Sequence, residues 1–172
     1  MILNDVDGFT FDFTDAINAF VFDEKDKSKP TYHGAPMKAV DIVVELDAAY
    51  LFIEIKDFND PETYNINAPA DGEDLKKISN SFKWLKNYLK YKYRDSYLYR
   101  HAEQKVDKPI HYLCLLSFDN ALNNVMQKVL KNELPIGKAS PRWQTKLAES
   151  CQVLNIDKWN QAFPNWPVHK IA

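Results

Sequence analysis

Apolar and polar positions change rhythm several times along the chain. From Asp12 onward, Phe13, Ala16, Ile17, Phe20 and Val21 recur at helical spacing, with Asp12 placed to cap and Asp15 in the first turn, where a carboxylate suits the positive end of the helix dipole. This predicts a first helix, ended by the polar run 23–30. A strand is expected around Tyr32, beside the turn formers Gly34 and Pro36. Residues 39–46 (AVDIVVEL) and 50–58 (YLFIEIKDF) are rich in β-branched and aromatic side chains and stand close enough to form a hairpin. A polar loop over 59–74 and a long helix over about 74–100 follow. Residues 110–118 (IHYLCLLSF), framed by Pro109 and by Asp119 with Asn120, read as a buried central strand. Beyond it the pattern predicts a helix over 120–133 and another after the cap Ser140 and Pro141. A short strand over 151–156, a last helical turn capped by Asp157 and an irregular tail from Pro164 complete the reading.

The hairpin carries more information than its propensity. Side chains alternate across a strand, so Val40, Ile42, Val44 and Leu46 share one face with Leu51, Ile53 and Ile55. That face is purely aliphatic and is expected to be core. Asp41, Val43 and Glu45 lie on the other face with Tyr50, Phe52, Glu54 and Lys56. A loop of two or of four residues pairs positions whose numbers sum to 95, which sets Asp41 opposite Glu54 with β-carbons roughly 4.5–5.5 Å apart. Opposed carboxylates destabilise a sheet unless a positive charge neutralises them. A divalent cation does so, and Mg²⁺ in particular takes hard oxygen ligands. Lys56, one pleat beyond Glu54 on the same face, would put an ammonium where it can orient a water or meet charge developing on a phosphate. The competing reading is a solvent-facing hairpin with ordinary surface charges.

Composition narrows the class. The 172 residues suit one domain; they are 45% hydrophobic, 13% aromatic and 27% charged with only 4 glycines, as expected of a globular chain without repeats. No apolar run approaches the roughly 18 residues of a membrane span, and MILNDVDGFTFD is unlike a signal peptide, so the expected location is the cytoplasm, with no membrane partner. Cys114 and Cys151 sit in apolar stretches outside any CxxC pair and read as separate reduced core thiols. His33, His101, His111 and His169 show no metal-ligand spacing, and only His33 falls near the hairpin. Glu45 is expected to be exposed, and Asp57 to terminate its strand.

The net charge of −2 conceals a marked asymmetry. Residues 1–75 hold 5 Lys/Arg against 17 Asp/Glu, residues 76–108 hold 10 against 3, and residues 109–172 hold 7 against 4. On the long helix Lys76, Lys83, Lys86, Lys90 and Arg94 form one stripe, beside an apolar face of Leu75, Ile78, Phe82, Leu85, Leu89 and Tyr93. The stripe is either a phosphate-tracking surface or the solvated side of an amphipathic helix. Trp84, Tyr88 and Tyr91 lie on another side, suited to packing or to stacking on unpaired bases. The pI near 6.1 argues against strong nonspecific nucleic-acid binding.

The spacing of Asp41 in VDIVVEL and of Glu54 and Lys56 in IEIKD resembles the motif of the PD-(D/E)XK nucleases, an Asp followed on the next strand by (Asp/Glu)-x-Lys. The order of helix, strands, hairpin, long helix and strand over residues 12–118 is similar to that family's core, whereas residues after 119 carry no matching motif. The residue before Asp41 is Val40 rather than proline. The resemblance implies an α/β, restriction-endonuclease-like fold: a central mixed sheet holding the hairpin and strand 110–118, flanked by helices, with a mainly helical C-terminal extension over 119–172. It further implies Mg²⁺ or Mn²⁺ held by Asp41, Glu54 and the carbonyl of Ile55, Lys56 as catalytic lysine and Glu24 as accessory acid. The expected function is metal-dependent hydrolysis of DNA or RNA with water as nucleophile. The alternatives are a catalytically inactive module of the same fold and an immunity- or antitoxin-like partner of another protein.

Overall fold

A computed structural model describes residues 1–57, 72–138 and 140–171, and the side chains of the long helix from Phe82 onward. Two sheets and three helices make up a mixed α/β architecture. In chain order the elements are β1 (Ile2–Val6), β2 (Phe9–Asp12), β3 (Asn18–Val21), β4 (Ile42–Glu45), β5 (Tyr50–Lys56), α1 (Gly72–Ala102), β6 (Ile110–Leu116), α2 (Asn120–Glu133), β7 (Ser150–Leu154), α3 (Ile156–Ala162) and β8 (Val168–Lys170). The larger sheet runs β3-β4-β5-β6-β7 and the smaller β1-β2-β8. Strands β3, β4 and β5 form an antiparallel meander, while β5, β6 and β7 are parallel and connected through α1 and α2.

Three layers follow from where the apolar side chains go. Leu85, Leu89 and Tyr93 of α1, spaced by four, pack with Met126 and Leu130 of α2 on one face of the large sheet, against Val43, Phe52, Tyr112 and Cys114. The opposite face, built of Ile42, Val44, Leu51, Ile53, Ile55, Leu113 and Leu115, packs on Phe9, Phe11 and Val168 of the small sheet and on Trp159 of α3. The large sheet is therefore buried on both sides, as a sheet with parallel strands requires. Asp119 caps α2 through the amide of Leu122, 2.8 Å away. Gln104, with φ of 59°, turns the chain after α1, whose last turn carries Arg100 and His101 where positive charge suits the dipole.

Several expectations are corrected. No helix starts at Asp12: β2 ends there and β3 begins at Asn18. Phe9, Phe11 and Phe13 alternate, all three buried, and Phe11 stacks on Phe13 and meets Trp159 edge-on, so a period of two outweighs the apparent helical period. Ile17, needed for the helical face, is exposed. No strand forms at Tyr32. The region after 119 is not mainly helical, because β7 joins the large sheet, β8 joins the small one and α3 is a short 7 residues. After Ser140 the chain turns instead of coiling, with the amide of Trp143 on the carbonyl of Ser140, and then runs to the buried Ala148, which bridges Ile136. β6 is the buried strand expected of residues 110–118 and lies inside the large sheet between β5 and β7, and Cys114 and Cys151 are buried free thiols. The expected loop over 59–74 falls largely outside the described residues.

Candidate functional site

The hairpin register is the one that residue arithmetic requires. Ile42 pairs with Ile53, Val43 with Phe52, Val44 with Leu51 and Glu45 with Tyr50, closed by a four-residue turn in which the Leu46 amide meets the Ala49 carbonyl. One further step sets Asp41 opposite Glu54. There the ladder ends, and the Asp41 carboxylate takes over from it: Oδ2 accepts the Ile55 amide at 2.6 Å. Helix α1 straps the segment leading into Asp41, since Asp95 accepts the Lys38 amide at 2.9 Å and Ser96 Oγ the Val40 amide at 2.8 Å. On the other side the Asp41 carbonyl receives the Phe22 amide. Asp41 is thus fixed by β3, β5 and α1 together.

The charge that faces these acids comes from α1. The Lys92 ammonium stands 3.3 Å from Asp41 Oδ1, 3.3 Å from Glu54 Oε2 and 3.4 Å from Asp23 Oδ2. Asp23 follows β3 and also pairs with the exposed Lys25. Lys92 and Asp41 are buried, and Glu54 is only 1% exposed. Among the described residues neither Glu54 oxygen has an aligned hydrogen bond; Lys92, as an ion pair, and the Tyr88 hydroxyl are the groups that favour its charged form. Burial raises the Asp41 carboxyl to about 6, against the pull of Lys92. Burial and the neighbouring Asp41 charge push Glu54 well above the ordinary carboxylate range. Burial disfavours the Lys92 ammonium, but Glu54 and Asp41 outweigh it and hold its affinity for the proton above that of an ordinary lysine. One ammonium faces three acidic groups in a poorly solvated place, and the raised proton affinity of Glu54 and Asp41 is the result.

Lys56 sits at the end of β5, half-buried, with its ammonium 5.2 Å from the centre of the Tyr88 ring and no ion pair among the described residues. Tyr88 also lies 5.3 Å from the Lys92 ammonium, so one ring spans both lysines. Glu24 is not on a helix and does not reach the site: its carboxylate accepts the Asp26 amide and pairs with Lys29 at 2.6 Å. Asp23, its neighbour, is the acid of this segment that reaches Lys92. Glu45 is half-buried and bonded to Lys108 at 3.1 Å, which corrects its assignment as exposed, and Asp57 pairs with Lys170. His33 is enclosed by Phe22 and Tyr99.

The basic stripe divides. Lys86 and Lys90 both bind Glu133 of α2, at 2.7 and 2.9 Å, and hold that carboxyl down at about 2. Lys83 and Arg94 are exposed, and the Lys76 side chain lies outside the described residues. Lys92 was missed by sequence reasoning, although a signal existed. Leu85, Leu89, Lys92, Ser96 and Arg100 follow one another at spacings of three or four, so polar residues continue a buried stripe, and all five are buried.

Among the described residues no group of three His, Cys, Asp or Glu side chains is arranged to hold a metal ion, and no helix is long and apolar enough to cross a membrane. No protein-family model, curated protein or solved structure matches this chain.

Proposed function

We propose that the Asp41–Glu54 end of the hairpin is the centre of a divalent-metal-dependent phosphodiesterase acting on DNA or RNA. The observation that carries this reading is Glu54, a carboxyl group buried in the sheet with neither oxygen in an aligned hydrogen bond among the described residues, set in register against Asp41. A buried carboxyl group whose hydrogen-bonding capacity is left unfilled is costly and is retained where a ligand completes it. The donor set fits Mg²⁺ or Mn²⁺, because Asp41, Glu54 and the Ile55 carbonyl offer hard oxygens close together, and a divalent ion would displace the proton that burial favours on Glu54. When bound, such an ion supplies Lewis acidity toward a phosphate and a water molecule. Lys56, a rim ammonium without an acidic partner among the described residues, would face a phosphate, with Asp23 and Lys92 adjusting the charge behind it. Cleavage of DNA and RNA oligonucleotides in Mg²⁺ or Mn²⁺ tests the proposal. Loss of activity in Glu54→Gln and in Lys56→Ala is expected, and full activity in either variant overturns the assignment.

The position of Lys92 favours a second reading, a noncatalytic module of the same fold that engages nucleic acid or protein. An ammonium within 3.4 Å of all three acids already does part of what a metal would do. Thermal melting separates the two. Under the first reading Mn²⁺ raises the melting temperature by mass action and Asp41→Asn removes the rise, whereas under the second the metal leaves the transition in place.

A further inference from the structure

Tyrosines and cations interleave along the outside of α1, beginning at the candidate site. Tyr88 has the ammonium groups of Lys56 and Lys38 at 5.2 and 4.8 Å from its ring centre. Lys38 also lies 5.9 Å from the next ring, Tyr91, which has Lys90 at 5.4 Å and the Arg94 guanidinium at 5.8 Å. Tyr91 and Arg94 in turn line a cleft of about 690 Å³ between α1 and the segment after α2, with Tyr97, Leu98, Leu134 and Trp143 among its other walls. The result is an unbroken path from Lys56 to an aromatic cleft.

We infer that this path binds a single-stranded nucleic acid, with unpaired bases stacking on Tyr91 and in the Trp143 cleft while Lys38 and Arg94 meet the backbone phosphates. The inference rests on the nucleic-acid reading of the neighbouring site and names the form of its substrate. Charge complementarity selects the occupant. The two acids along the path are already engaged, Asp95 by the Lys38 amide and Glu133 by Lys86 and Lys90, while Lys38 and Arg94 have no acidic partner among the described residues. Stacking needs a free base face, which a duplex does not offer, and aromatic side chains beside a positive groove are the usual means of holding a single strand. Trp84, Tyr91 and Leu98, spaced by seven and 45%, 44% and 58% exposed, would also suit a seam between two copies of α1. Such a seam would bury Lys38 and Arg94 against their own kind, and the strand accounts for those cations where the seam does not.

The test is fluorescence anisotropy with the full chain in EDTA, so that cleavage plays no part. The probes are labelled oligothymidylate and oligouridylate of about 20 nucleotides and a duplex of equal length. Binding to either single strand about tenfold tighter than to the duplex is expected, weakening with salt, and the tighter of the two names the sugar. Tyr91→Ala weakens single-strand binding about fivefold or more, Tyr91→Phe leaves it nearly unchanged, and Lys38→Gln lowers the salt dependence. Equal affinity for single strand and duplex, or an unaffected Tyr91→Ala, overturns the inference. So does a dimer in sedimentation that Tyr91→Ala dissolves while no single strand binds. Glu54→Gln retains the single-strand preference, so a protein that binds but does not cut condemns only the nuclease proposal, and one that cuts without this preference condemns only the path.

Discussion

The two faces of the β4–β5 hairpin are both shut away from water, yet they are built on different principles. Toward the small sheet, Ile42, Val44, Leu51, Ile53 and Ile55 offer only hydrocarbon, and packing is sufficient explanation for each. Toward α1, Val43 and Phe52 are equally well packed, but the same pleats carry Asp41 and Glu54, which meet Lys92 at 3.3 Å. A hydrocarbon face that loses an atom loses only the contacts of that atom. A charged interior that loses a partner keeps the cost of the charge left behind. Burial alone therefore does not distinguish scaffold from site, whereas the identity of what is buried does.

Removing the central charge breaks the comparison most sharply. Lys92→Met strands Asp41 and Glu54 together and should cost about 3–5 kcal/mol in a denaturant titration. Under the metal proposal Mn²⁺ restores part of that loss. On the hydrocarbon face Ile53→Ala should cost about 2–5 kcal/mol, and neither Mn²⁺ nor pH should change that figure. A finer contrast lies in pH. Because burial raises Asp41 from 3.8 to about 6, the folded state holds its proton more tightly than the unfolded chain does. Its contribution is fully present below pH 3.8 and lost as pH rises through about 6, so metal-free wild type should lose stability relative to Asp41→Asn across that window. The smallest effect belongs to the half-buried Lys86–Glu133–Lys90 cluster. Glu133 is lowered from 4.5 to about 2, so its contribution is present above pH 4.5 and fades as pH falls through about 2. Glu133→Gln should produce a slight, salt-sensitive fall in melting temperature at neutral pH.

The parts of the fold that could be read from the chain are those whose causes are local. The hairpin register followed from two β-branched runs and an even loop, and α1, β6 and α2 from strong periodicity with the Asp119 cap. The small sheet escaped because Phe9 pairs with Lys170 and Phe11 with Val168, partners that nothing near Phe9 announces. The alternation of Phe9, Phe11 and Phe13 was visible, but Phe13, Ile17 and Phe20 matched a helix equally well until Ile17 proved exposed. At the site, Asp41 opposite Glu54 was legible and Lys92 was not. A lysine among lysines on a long helix is assigned to water by default, and only its place in a stripe with Leu85, Leu89 and Ser96 marks it as interior.

The straps from Asp95 to the Lys38 amide and from Ser96 to the Val40 amide have a kinematic consequence. Both acceptors lie within one turn of Lys92, so α1 carries the ammonium and the tether of Asp41 on the same rigid rod. A small slide of that rod moves both groups together and leaves their separation nearly constant. Glu54 rides on β5, between β4 and β6, and among the described residues no aligned hydrogen bond links its carboxyl group to the rod. Any breathing of helix against sheet is then expressed in the Lys92–Glu54 gap, which makes that distance the natural coordinate along which the buried charges part.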